Sequence, residues 1–215
     1  YYAMERFLYR LSQTKHRDRF VLKGALMFIV WGTPRSRATK DIDFLAKTDN
    51  TVENLVGIAQ DICRVQTEAD GLVFDPAGVT GGIIKENADY SGVRVSFEGK
   101  LERAKIPMQL DIGFGDNVTP APAEIDYPVM LDQPAPRLKG YPPETVVAEK
   151  FEAAVKLGMI NTRMKDFYDL WLMSRQFDFD GRTLAKAVQA TFAHRGTALT
   201  VSPTAFTTSF YDDAQ

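Results

Sequence analysis

The sequence predicts an α/β (α+β) protein, a mixed sheet flanked by helices and followed by a C-terminal helical region. Three observations point there. Two strand patterns, Phe20 to Gly24 and Asp41 to Ala46, bracket a compact apolar stretch; glycines and short apolar runs fill Gly71 to Phe114; and beyond Pro143 the texture turns helical. The expected division is a core over 1–139 and a helical region over 140–215 packed on it.

At 215 residues and 45% hydrophobic content the chain is long enough to bury a sizeable core. A formal net charge of −2 offers no general attraction to nucleic acid or membrane, so any basic surface must be local. The single cysteine, Cys63, cannot form an internal disulfide, which fits a reducing cytosol; it reads as a buried, inert thiol. The longest apolar run, Ala25 to Trp31, is far short of the roughly 20 residues that cross a bilayer, and Tyr1 to Arg10 has no signal-peptide pattern. A soluble cytoplasmic protein is expected. Because Met4 is an unconvincing start, further residues are expected ahead of Tyr1.

Phe7, Leu8 and Leu11 recur at helical spacing with charges between them, so residues 3–12 read as an amphipathic helix. Phe20 to Gly24 reads as a buried strand ending at a glycine, and Ala25 to Trp31 as a short helix closed by Gly32. Thr33 to Lys40 is a loop, basic through Arg35, Arg37 and Lys40, with Lys23 upstream. Asp41 to Ala46 alternates polar and apolar as a strand does. Thr51 to Glu68 reads as a helix capped by Thr51. Gly92 to Phe97 and Ile106 to Phe114 are the clearest strands of the next stretch, joined antiparallel across Glu98 to Lys105. Pro120 to Pro143 holds most of the chain's prolines, which disfavours regular structure and suits a surface crossing between subdomains. Helices follow at Val146 to Leu157, stopped by Gly158, then Lys165 to Arg175 and Thr183 to Phe192.

The sharpest chemical feature is Asp41-Ile-Asp43. Two carboxylates one residue apart on a strand project from the same face and can converge on a hard divalent cation. Taken alone, such a pair is more often a solvated strand edge. Here Gly24, a short helix and a basic loop precede it, an order that lets backbone amides approach phosphate oxygens. Asp111, in the apolar strand Met108 to Ile112, needs a partner or a metal to offset its desolvation, and either the same cation or an arginine such as Arg94 would serve. Lys150 sits in an apolar helix, where its ammonium must snorkel out or meet an anion, and phosphate is the favoured one. Asp166 and Asp169 fall on one helix face, with Phe167, Leu170, Trp171 and Ser174 tracing another, largely apolar one. His16 and His194 read as surface residues, and Trp31 and Trp171 as core. Phosphate-loop and dinucleotide fingerprints are absent.

Phe20-Val-Leu-Lys-Gly-Ala-Leu-Met27 followed by Arg37-Ala-Thr-Lys-Asp-Ile-Asp-Phe44 resembles the AbiEii/AbiGii-type nucleotidyltransferase toxins. Met108-Gln-Leu-Asp-Ile-Gly-Phe-Gly115, Glu144-Thr-Val-Val-Ala-Glu-Lys-Phe151 and Arg163-Met-Lys-Asp-Phe-Tyr-Asp-Leu170 follow in the family's order. The resemblance implies a DNA polymerase β-like nucleotidyltransferase core with added helices. It also implies transfer of a nucleoside monophosphate from a triphosphate to an RNA (tRNA-like) or protein acceptor, and a toxin paired with an antitoxin in toxin–antitoxin or phage defence. Asp41, Asp43 and Asp111 would hold magnesium or manganese; with Lys150 and Asp169 they form the expected catalytic set. Lys23, Gly24, Ala25, Lys40, Lys150, Lys165 and Asp166 are the expected nucleotide contacts. Where the wider superfamily has Gly-Gly or Gly-Ser, this chain has Gly24-Ala25, a departure that favours the alternative of a non-catalytic nucleotide- or RNA-binding module of the same fold. No membrane partner is implied.

Overall fold

The computed structural model describes residues 1–33, 38–87 and 90–212. Arg35 and Arg37 of the basic loop lie outside them. Two compact units form, one from Tyr1–Gly115 with Ala123–Gly140, the other from Asp116–Pro122 with Tyr141–Gln215. Relative to the expected division at residue 139, the segment 116–122 belongs with the helical part.

The first unit begins with α1 (Tyr2–Ser12), β1 (Phe20–Lys23), α2 (Leu26–Val30), β2 (Asp41–Ala46) and α3 (Val52–Cys63). The strands β3 (Leu72–Phe74), β4 (Thr80–Asn87), β5 (Tyr90–Leu101), β6 (Ala104–Phe114), β7 (Ala123–Asp126) and β8 (Arg137–Gly140) complete it. They join in the order β3-β5-β6-β2-β1-β8-β7, with β4 also on β5. The sheet is mixed: β2 runs parallel to β6 and β1 parallel to β8, and the other pairings are antiparallel.

Strand alternation explains how one sheet carries both a core and a site. Ile42 and Phe44 of β2, Val93, Val95 and Phe97 of β5, and Leu110 and Ile112 of β6 are buried in one apolar cluster. Phe7, Leu8 and Leu11 of α1 and Leu55, Ile58 and Ile62 of α3 belong to the same cluster, so these helices cover that face. The intervening residues Asp41, Asp43, Arg94, Gln109 and Asp111 therefore occupy the other face. Thr51 caps α3 by accepting the Asn54 N–H, as expected, but the helix ends at Cys63 rather than Glu68. Burial pushes the Cys63 thiol up to about 12, an inert group.

Three readings of the sequence need correction. The proline-dense segment is more regular than composition predicts, because β7 and β8 occupy proline-free stretches and the prolines flank them. The strands β5 and β6 run on through Glu98 to Lys105 to a two-residue turn, where Glu102 has φ 51°. His16 is buried, its Nε2 lying 3.1 Å from Asp61 Oδ2.

The charges of α1 are not solvated either. Arg10 forks onto Asp70, at 2.6 and 3.0 Å, and also donates to the Leu72 carbonyl, anchoring edge strand β3. Glu5 accepts the Met130 N–H and Arg6 donates to the Pro134 carbonyl, pinning the segment between β7 and β8. Burial alone would raise the Asp70 pKa; hydrogen bonds from Arg10 and the Leu72 N–H bring it below the usual value.

In the second unit, α4 (Pro143–Leu157), α5 (Met164–Gln176) and α6 (Gly181–Arg195) precede a short α7 (Thr208–Tyr211). Pro143 starts α4 at a position that lacks an N–H partner anyway, and Gly158, at φ 50°, ends it. Arg195 of α6 gathers Asp116, Glu149 and Glu152 at 2.8, 3.6 and 2.9 Å, tying segment 116–122 and α4 together. Among the described residues no helix is long and apolar enough to cross a membrane.

Replacing Arg10 by Ala would leave the Asp70 carboxylate buried without its cation. A loss of about 3–5 kcal/mol is expected, and urea unfolding of the parent and Arg10→Ala proteins measures it.

Candidate active site

The site starts from strand register. Asp43 of β2 is the parallel partner of Asp111 on β6, and Asp41 is the partner of Gln109. On the flanks, Lys23 of β1 is paired with Asp43 and Arg94 of β5 with Asp111. A row Lys23, Asp43, Asp111, Arg94 thus crosses four strands on one face, with Asp41 and Gln109 two residues along. Lys23 and Asp111 are buried, and Asp41 and Asp43 are half-buried. The exposed Lys40 lies immediately before β2.

Arg94 occupies both oxygens of Asp111, Nε to Oδ1 at 2.8 Å and Nη2 to Oδ2 at 2.7 Å. That hydrogen bonding raises the Arg94 pKa, with further attraction from Asp41 and Asp43. Gln109 Nε2 donates to Asp41 Oδ1 at 2.6 Å and lies 3.5 Å from Asp111 Oδ2. The arginine partner that the sequence left open for Asp111 is therefore real. Gln109 was overlooked, and its only signal was that it precedes Asp111 by two residues on a strand.

Gly24 has φ 71°, and a Cβ placed on it would come within 2.0 Å of Asp43 Oδ2. The carboxylate occupies the space a side chain would take, so the glycine is needed for close approach as well as for its backbone. Ala25 is buried and precedes α2, a helix of only five residues.

A hard cation suits the carboxylate oxygens of Asp41 and Asp43, which share a face. In this arrangement, however, no three histidine, cysteine or acidic side chains among the described residues form a metal-holding group. The expected set of Asp41, Asp43 and Asp111 is not among such groups, and Arg94 holds Asp111.

In the second unit, Lys150 of α4 meets two carboxylates of α5: Nζ lies 2.7 Å from Asp166 Oδ1 and 2.9 Å from Asp169 Oδ2. Arg163, not singled out from sequence, adds a bond to Asp166 Oδ2 at 2.9 Å. The anion that Lys150 finds here is this pair, so neither snorkelling nor phosphate is needed to explain its place. Asp166 and Asp169, which share a face of α5, are both held by cations there. Asp166 and Asp169 are buried, Lys165 is exposed, and Trp171, read as core, is 49% exposed beside Tyr168. Burial would raise the Asp166 pKa, but the charge and hydrogen bond of Lys150, then Arg163 and Lys165, bring it below 3.8.

The family model for the AbiEii nucleotidyl transferase toxins of type IV toxin–antitoxin systems matches residues 6–215. The chain belongs to the AbiEii family. It is a nucleotidyltransferase-family protein with the expected nucleotidyltransferase-like mixed sheet. The crystal structure of JHP933 from Helicobacter pylori aligns with a TM-score of 0.53 at 16% identity, over 87% of this chain and 75% of that one. The antibiotic-resistance factor ANT(2'')-Ia aligns at 0.47 with 13% identity, over 89% and 90%. An antigenic nucleotidyltransferase-like protein from Paracoccidioides brasiliensis aligns at 0.45 with 15% identity, over 82% and 80%. Comparison with curated proteins gave no significant match.

Three outcomes follow from this geometry. Gly24→Ala forces a left-handed residue and displaces Asp43; a cost of roughly 1–2 kcal/mol is expected from the backbone alone, read by thermal melting, together with loss of nucleotidyl transfer. Lys150→Ala takes away the cation that two buried carboxylates share, and about 3–5 kcal/mol should be lost. The lowered Asp166 pKa means its stabilisation is complete above the ordinary value of 3.8 and falls away as pH drops through the folded value. Melting curves of the parent should therefore decline below about pH 4, and Asp166→Asn should flatten that decline.

Proposed function

We propose that this chain transfers a nucleoside monophosphate from a nucleoside triphosphate to a hydroxyl of an RNA or protein acceptor, releasing pyrophosphate, as the toxin of an antitoxin-paired system. The observation that supports it most is the row Lys23, Asp43, Asp111, Arg94 with Asp41 alongside: carboxylates and cations on one sheet face beside a glycine turn. Family membership supports nucleotidyl transfer as the reaction class.

Asp41 and Asp43 would hold magnesium or manganese, which when bound polarises the α-phosphate and lowers the pKa of the attacking hydroxyl. The carboxylates orient their oxygens from a rigid strand, and Gln109 fixes Asp41 by donating to Oδ1. The Gly24–Ala25 turn brings backbone close to Asp43 without an intervening side chain, and Lys23 and Lys40 supply positive charge for triphosphate oxygens. In the second unit Asp166 and Asp169 hold Lys150 in place, and Lys165 is exposed. Charge neutralisation by pre-oriented groups carries most of such a reaction, so few residue types are required.

Incubating the protein with each labelled nucleotide, magnesium and total cellular RNA or protein identifies base and acceptor together. Asp43→Asn, near-isosteric, should keep the fold and lower labelling by about 10²-fold or more. Undiminished labelling would refute the mechanism. In cells, expression without the antitoxin should slow growth, and Asp43→Asn at matched abundance should not.

A further inference from the structure

The carboxylate expected to complete the metal site is bonded on both oxygens to an arginine. Asp111 and Arg94 form a two-pronged, charge-assisted pair, among the stronger contacts available to side chains. The partners differ in their surroundings. The Asp111 side chain is 12% exposed, on a strand enclosed between β2 and β5, whereas that of Arg94 is 43% exposed. Across the sheet on β4, the residue in register with Arg94 is Gly82, above which a side chain would meet nothing within 4 Å. The carboxylate is fixed, and the guanidinium has open space beside it.

We infer that Arg94 is a positioning residue that withholds Asp111 from divalent cations, so that Asp111 joins Asp41 and Asp43 at a cation only when Arg94 turns to another anion. This inference rests on the proposed nucleotidyl transfer and assigns a control to its metal site. The anion is the phosphate chain of the substrate, the ligand class that brings several negative oxygens to this face. Affinity for a hard cation rises with the number of charged oxygen ligands, so the free protein binds metal weakly. A phosphate that draws Arg94 away strengthens metal binding, and by linkage metal strengthens phosphate binding by the same factor. Gln109, bonded to Asp41 and 3.5 Å from Asp111 Oδ2, keeps the two carboxylates in register while Arg94 moves.

An arginine that only stabilised the sheet behaves differently: removing it would lower the melting temperature without improving metal binding. The test is titration of the nucleotide-free chain with Mn²⁺ alone, with free ion followed by electron paramagnetic resonance. Arg94→Gln should bind Mn²⁺ roughly tenfold tighter than the parent, or more, because a third carboxylate becomes available. Arg94→Lys should fall between, since an ammonium is a point charge and lacks the fork that holds both oxygens. Adding Asp111→Asn to Arg94→Gln should return affinity to the parental level. Circular dichroism verifies folding, and if Arg94→Gln does not fold, Arg94→Lys carries the test. Affinity at position 94 variants equal to or below the parent's overturns the inference, while binding abolished by Asp41→Asn with Asp43→Asn leaves the metal reading standing. No Mn²⁺ binding by the parent or any variant overturns both.

Discussion

Asp43 and Asp111 stand on neighbouring strands, and neighbouring strands are about 4.8 Å apart. Two full negative charges at that spacing repel by roughly 3 kcal/mol at an effective dielectric of about 20. A sheet that places them in register must offset this, and the offset is visible in the register itself. Lys23 lies on the strand beyond Asp43 and Arg94 on the strand beyond Asp111, so each carboxylate has a cation on its outer side. The negative oxygens of this row are those a metal would use.

Keeping that row fixed is the task of the opposite face. Each strand that contributes a charged residue contributes its neighbours to the core under α1 and α3: Leu22 beside Lys23, Ile42 and Phe44 around Asp43, Val93 and Val95 around Arg94, Leu110 and Ile112 around Asp111. A slip of one residue in any of these strands would bury the charges and expose the core. Gly24 adds a second constraint, because only a residue without Cβ lets Asp43 approach the end of β1.

The helical unit follows the same electrostatic rule in a more buried setting. Lys150 is shared by Asp166 and Asp169, and Arg195 by Asp116, Glu149 and Glu152. In both clusters a cation from one segment binds carboxylates carried by another. Such pairs contribute modest net stability against apolar replacements but penalise any arrangement in which one partner is lost, so they fix how the helices meet.

By itself the sequence determined the strands and helices that carry the site. An apolar run ending at Gly24 marked β1 and alternation marked β2, the Thr51 cap and apolar spacing marked α3, and Gly158 marked the end of α4, because these signals are local. The spacing of Asp41 and Asp43 placed both on one face for the same reason, and the ordered motifs indicated the AbiEii family. Tertiary structure alone decided the partners. That Asp111 meets Arg94, and that Lys150 meets two aspartates, depended on strand register and helix rotation, which are set by packing between distant segments. The two strands inside the proline-dense segment stayed hidden likewise: four residues carry too little periodicity to announce a strand, and β8 exists because β1 supplies its hydrogen-bonding edge.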